Sequence, residues 1–236
     1  MAAKSNLKNM VLCLFGTCLF CSAILGGVYA ITYDPIEQTK AKTLENAIGQ
    51  VLLRNADNTG LKEGTALLLD EKGKAKADTL NLDGKSYEYY TQVADDAPVA
   101  YAIKSTVVGF GGPLTLMVGV SADARLVINT SVLSHTETPG LGAKCTTDQK
   151  FMAQWSGLDL STTKLEVQKP VKDGIDAITA STITSKAYTL AVANAVKVVS
   201  EIAGQAGNDV QAGNDETVIS SEAEKSEIVE QEVEND

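Results

Sequence analysis

The hydrophobic rhythm of the chain changes four times. Residues 10–31, MVLCLFGTCLFCSAILGGVYAI, are twenty-two positions without a charge, the length that a hydrocarbon core of about 30 Å demands of a helix. Asp34 and Pro35 then give a cap residue followed by proline, a start signal for a new helix. Leu44, Ile48, Val51 and Leu52 continue it at helical spacing to about Arg54. From 64 to 134 the rhythm shortens to apolar runs, TALLLD, KSYEYYTQVA, VAYAIKSTVVGF, LTLMVGVSA and LVINTSVLS. Turn signals at 71–73, Asp83-Gly84, 109–113 and 122–124 separate them, which predicts successive antiparallel strands. A short helix is expected at about 147–155, where Phe151 and Trp155 are four residues apart, and a strand at 164–168. The last rhythm is again helical, over 181–203. Ile183, Ala187, Leu190, Ala191, Ala195, Val198 and Ile202 form its expected apolar face, interrupted by Asn194. Sheet residues followed by helices make the class α+β, one antiparallel sheet packed by helices, behind an N-terminal membrane helix.

That N-terminal run admits two readings. Val28–Ala30, VYA, is an acceptable cleavage site for a secretory signal, but the run exceeds the roughly 7–15 apolar residues of such a signal. The length favours an uncleaved anchor. Lys4 and Lys8 precede it and Asp34 and Glu37 follow, so the positive-inside rule leaves residues 1–9 in the cytoplasm and carries the remainder across the membrane. The expected organisation is then a cytoplasmic start (1–9), an anchor (10–31), a juxtamembrane helix and connection (32–63), an extracytoplasmic domain (64–203) and a tail (204–236).

The net charge of −10 is almost wholly local. Residues 204–236 hold ten acids and one lysine and no aromatic residue, the composition of a disordered, solvated tail. The rest is near neutral, so no nucleic-acid-binding face is expected. Cys13, Cys18 and Cys21 lie in the apolar run and act there as small hydrophobes; Cys145 alone belongs to the exported domain and has no disulfide partner. It is either buried or an exposed thiol. One histidine, His135, and no spaced cysteine pair in the exported domain argue against a metal centre or a catalytic triad there.

Two stretches remain. SHTETPGLG, residues 134–142, follows a strand and contains Pro139-Gly140, the signature of a type II turn. Its glycines serve a tight loop equally well, or a backbone approaching a flat ligand. DAITASTITS, residues 176–185, crowds five hydroxyl residues against the start of the last helix, where one would cap it. A plain cap and an anion site are both open, since first-turn amides lack intrahelical partners. Without a Gly-rich loop and a Walker lysine, a nucleoside triphosphate cleft is not expected.

DAITASTIT resembles the flavinylation motif, Asp-x-x-Ser/Thr-Gly-Ala-Thr, of FMN-binding domains that carry flavin as a threonine phosphoester. ETPGLG at 137–142 matches the same family without substitution, and GFGGPLTLMVGV at 109–120 resembles its glycine-containing strand pair. With the anchor, the exported domain and a motif before the last helix, the chain over 10–203 is similar to the G subunits of Rnf ion-translocating electron-transport complexes. The C subunits of sodium-pumping NADH:quinone reductases are relatives. The resemblance implies FMN covalently attached at Thr182, with Thr179, Ser181, Thr184 and Ser185 donating to its phosphate. Glu137, Thr138, Pro139, Gly140, Leu141 and Gly142 would border the ring, and Asp176 would be read by the flavin transferase that matures the protein. It further implies an electron carrier, incomplete as an enzyme by itself, working with other membrane subunits on the outer side of a bacterial cytoplasmic membrane. A C-type subunit of the sodium pump, a stand-alone flavinylated reductase domain and a structural domain that has lost the motif are the alternatives. Two positions depart from the motif: Ala180 stands for its glycine and Ser181 for its alanine, and alanine is disfavoured at positive φ.

Overall fold

The computed structural model describes residues 7–54, 60–168 and 173–205; the acidic residues from 206 onward lie outside them. The chain divides into two compact units, Met1–Asn46 and Ala47–Asp236.

The first unit is helical. A single helix, α1, runs over Leu7–Val51 with Pro35 inside it, so the helix start expected at Asp34 is not one. Proline removes one backbone donor from a helix interior. Threonine hydroxyls flank the position and bond carbonyls of the preceding turns: Thr32 Oγ1 to Val28 O at 2.8 Å and Thr39 Oγ1 to Pro35 O at 2.7 Å. Uncharged between Lys8 and Asp34 and exposed there, α1 is the one described helix apolar enough to cross a membrane.

The second unit is a seven-stranded antiparallel sheet. Its strands are β1 (Ala66–Leu67), β2 (Asp78–Leu82), β3 (Lys85–Ala94), β4 (Ala97–Val108), β5 (Pro113–Ser121), β6 (Leu126–His135) and β7 (Leu158–Asp159). Their order is β1-β3-β4-β5-β6-β7, with β2 also paired to β3. The middle four strands are those expected from the alternation of side chains. The first expected strand shrinks to Ala66–Leu67, and β2 and β7 are additional. At the expected 164–168 strand, β8 (Val167–Gln168) pairs in parallel with β9 (Ile175–Asp176). The short helix is preceded by a 3-10 turn, Gly142–Thr146, and α2 proper covers Gln149–Ala153. Asp148 caps it, accepting from Lys150 N and Phe151 N.

The last helix, α3, occupies 182–205 of the described residues. It buries Ala187, Tyr188, Ala191, Val192, Ala195, Val198 and Val199, whereas Ile183 (56%) and Leu190 (54%) are exposed. The apolar stripe is thus rotated from the expected one, because the large Tyr188 takes the centre. Tyr188 stacks on Trp155 (5.1 Å, 29°), meets Phe151 edge-on (5.1 Å) and shares a 2.7 Å hydrogen bond with Thr130 of β6. These groups join Tyr101, Ile103, Leu114, Leu116, Val118 and Val120 in one core cluster. The opposite sheet face receives the end of α1: Gln92 bonds both Leu53 N and Leu53 O at 3.0 Å, and Asn129 Nδ2 donates to Gln50 O at 3.1 Å. Anchoring α3 by Tyr188 fixes the position of its first turn, six residues upstream.

Candidate functional site

Three segments meet at that first turn. One is the β4–β5 loop. Gly109 N–H closes it on Gly112 O at 2.8 Å. Side chains at Gly109 and Gly111 are excluded by Glu137 Oε1 and Thr136 O, which a built Cβ would approach to 1.9 and 2.2 Å. The second is the loop after β6. As Pro139-Gly140 demands, Gly140 has φ +76 and Leu141 N–H closes the turn on Thr138 O at 3.2 Å. The third is the start of α3. Ser181 N–H donates to Ile178 O at 3.0 Å, and between them Ala180 has φ +62. The residue that replaces the motif glycine therefore occupies the left-handed conformation glycine prefers.

Glu137 ties the three together. It is buried, accepts from Phe110 N–H at 2.8 Å through Oε1 and from the Thr184 hydroxyl at 2.9 Å through Oε2. Gly142 makes room for this: a Cβ there would lie 2.3 Å from Glu137 Oε2 and 2.7 Å from Thr184 Oγ1. His135 Nδ1 accepts the Glu137 N–H at 3.3 Å, which is its part in the loop.

A cavity of about 350 Å³ opens here, lined by Glu137, Leu141, Gly142 and residues 180–184, with Phe110, a size within the roughly 300–1,000 Å³ of small-molecule sites. Of the residues expected at a site from sequence, it brings together Glu137, Leu141, Gly142, Ser181, Thr182 and Thr184. Thr138, Pro139 and Gly140 form the exposed turn beside it, and Thr179 sits in the exposed turn before Ala180. Ser185 is buried and uses its hydroxyl internally, accepting from Ile178 N–H at 3.0 Å and donating to Ser181 O at 2.9 Å. Asp176 is exposed on β9, its backbone held by Gln154 (2.7 and 3.3 Å). Phe110, Ala180 and Ile183 are lining residues that the sequence reading did not assign to the site. The glycines around Phe110 were the available signal, while Ile183 was misplaced by the helical stripe.

The chemistry of the wall is donor-rich at one end and apolar at the other. The first intrahelical bond is Ser185 N–H to Ser181 O at 3.0 Å, so the amides of Thr182, Ile183 and Thr184 precede it and lack intrahelical acceptors. The Ser181 hydroxyl is buried and has no partner among the described residues. A hydroxyl and three amides at a helix start suit an acceptor-only group such as a phosphate. Phe110 (66% exposed), Leu141 (42%) and Ile183 (56%) offer apolar surface for a flat ring. Thr182 is exposed at the mouth. The residues fit a flavin mononucleotide. Cys145, behind the loop, is buried, and burial, reinforced by the Glu137 charge, pushes its thiol up to about 11.

Comparison with known proteins agrees with this assignment. A family model described as FMN-binding domain matches residues 109–197, which span the glycine loop, the ETPGLG loop and the start of α3. The chain is 30% identical over 197 residues to the G subunit of the proton-translocating ferredoxin:NAD(+) oxidoreductase complex of Clostridium ljungdahlii, covering 84% of this chain and 91% of the relative. It is 32% identical over 178 residues to the G subunit of the ion-translocating oxidoreductase complex of Vibrio cholerae (73% and 80%). With that of Methanosarcina acetivorans it shares 30% over 192 residues (78% and 92%). Among solved structures, NqrC of Shewanella oneidensis superposes with a TM-score of 0.44 at 17% identity, covering 66% of this chain and 91% of that one.

Proposed function

Since the chain belongs to the family of G subunits of ion-translocating oxidoreductase complexes, we propose that it is the electron-transfer subunit of such a complex, carrying FMN as a phosphoester on Thr182. The observation that carries this reading is the exposed Thr182 at the mouth of a cavity where the Ser181 hydroxyl has no partner among the described residues and the first-turn amides of α3 have no intrahelical acceptor. Thr182 Oγ would hold the flavin through an ester to its phosphate, the hydroxyl giving up its proton. The diester would keep about one negative charge, which the 182–184 amides and the Ser181 hydroxyl would receive, while the Thr184 hydroxyl is donated to Glu137. Ser185 supports that turn from behind rather than touching the phosphate. FMN supplies the redox chemistry. Leu141, Phe110 and the Gly142 backbone would border the ring, and the Thr138-Pro139-Gly140 turn holds Leu141 in place. Asp176 and Thr179, exposed just before the attachment point, suit recognition by a flavin transferase.

As a carrier, the subunit exchanges electrons with other membrane subunits of the complex. Helix α1 supplies the anchor. Lys4 and Lys8 ahead of it support, by the positive-inside rule, a cytoplasmic N-terminus and an FMN domain on the far side of the bacterial cytoplasmic membrane. There a covalent bond prevents loss of a cofactor that could not be replaced. The test is in-gel flavin fluorescence of the protein made with its anchor and a flavin transferase. Wild type should fluoresce after denaturation and Thr182→Ala should not; a fluorescent Thr182→Ala band refutes the attachment site.

A further inference from the structure

Glu137 is only 5% exposed, and no lysine or arginine among the described residues forms an ion pair with it. A buried carboxylate without a cation is costly. Both oxygens accept, one from the Phe110 N–H at 2.8 Å and one from the Thr184 hydroxyl at 2.9 Å, the pattern of an ionised group. Two glycines concede their side chains to it, since a Cβ at Gly109 or Gly142 would lie 1.9 or 2.3 Å from its oxygens. A neutral glutamine could bridge the same two partners, with its carbonyl accepting from Phe110 and its amide donating to the Thr184 oxygen. The bridge alone therefore does not account for a charge in this place.

We propose that Glu137 is a positioning residue that locks the three cavity-forming segments, and that its fixed negative charge lowers the reduction potential of the flavin held there. The proposal rests on the cavity being the flavin site. Reduction adds electrons to the flavin, and a carboxylate on the wall of the same cavity opposes the added negative charge through a medium of low dielectric.

The experiment is a redox titration of the full-length, flavinylated protein in detergent, with dithionite as the electron source and flavin absorbance as the readout. Glu137→Gln should retain the flavin and its visible circular dichroism. At a fixed solution potential its ratio of reduced to oxidised flavin should rise about tenfold, ~30 mV for a two-electron couple. An unchanged potential in flavinylated Glu137→Gln overturns the proposal. Glu137→Asp covers the case in which the glutamine variant fails to fold: it keeps the charge but is too short for both bonds. Its potential should stay at the wild-type value while the flavin dichroism changes, and a potential raised above wild type overturns the proposal. Wild-type protein without flavin would overturn the site itself, a result readable before any variant is made.

Discussion

Replacing Ala180 by glycine should stabilise the protein. Ala180 sits at φ +62 in the turn that Ser181 N–H closes on Ile178 O at 3.0 Å, immediately before α3. An L-residue in the left-handed region costs roughly 1–2 kcal/mol, which glycine would not bear. Against this, glycine loses more conformational freedom on folding, about 0.5–1 kcal/mol. The Ala180 side chain is exposed, so deleting its methyl group forfeits little burial. The balance is a gain of about 0.5–1 kcal/mol, equivalent to a Tm rise of about 1–4 °C in a protein of this size. Trp155, the single tryptophan, is fully buried against Tyr188 of α3, so its fluorescence follows loss of the α3 packing directly. The assay is thermal unfolding of the full chain in detergent read at that fluorescence. A Tm for Ala180→Gly equal to or below wild type would refute the argument, because it would mean that the turn stores no strain at Ala180.

Two further perturbations have definite outcomes. In Gly119→Ala the new Cβ would lie 1.7 Å from Val51 O and 2.6 Å from Val51 C. These are backbone atoms that cannot rotate aside, so the end of α1 must shift from the sheet. A loss of about 1–3 kcal/mol is expected, visible as a lower Tm by the same fluorescence. The second concerns Cys145, whose thiol is raised to about 11 by burial and then by Glu137. The unfolded thiol titrates lower, so above that value the unfolded state has lost a proton that the folded state keeps. Stability should therefore fall as pH climbs from about 9 to 11. Cys145→Ala should flatten that part of the stability–pH curve, and an unchanged slope would refute it.

How much of this was legible in the sequence depended on whether the signal was local. Strands β3 to β6 follow from alternation and from turn residues whose conformations are intrinsic, such as Asp83-Gly84 (φ +52 and +73) and Pro139-Gly140. Strand β2, DTLNL, also alternates and precedes that turn, so it could have been read. Asp95-Asp96 closes the β3–β4 hairpin with both residues at positive φ, which the tolerance of aspartate for that region permits. The paired strands β8 and β9 are two residues long and exist through tertiary contact, beyond the reach of periodicity. Pro35 reads as a helix start because proline favours a first turn, yet the helix runs through it. At the site, the hydroxyl-rich segment pointed to the right helix start but could not divide labour among its members. Only packing shows that Ser185 braces the turn, that the Ser181 hydroxyl has no partner among the described residues, and that Glu137 reaches from a separate loop to Thr184.

The central claim is the ester at Thr182. Cleavage after Lys172 and Lys186 releases DGIDAITASTITSK, residues 173–186, which contains Thr179, Ser181, Thr182, Thr184 and Ser185 together. Fragment mass spectrometry of this peptide, from protein made with its anchor and a flavin transferase, should find one FMN phosphoester on Thr182 and none on the other hydroxyls. An unmodified Thr182, in a preparation where the same transferase labels a control domain, would contradict the account.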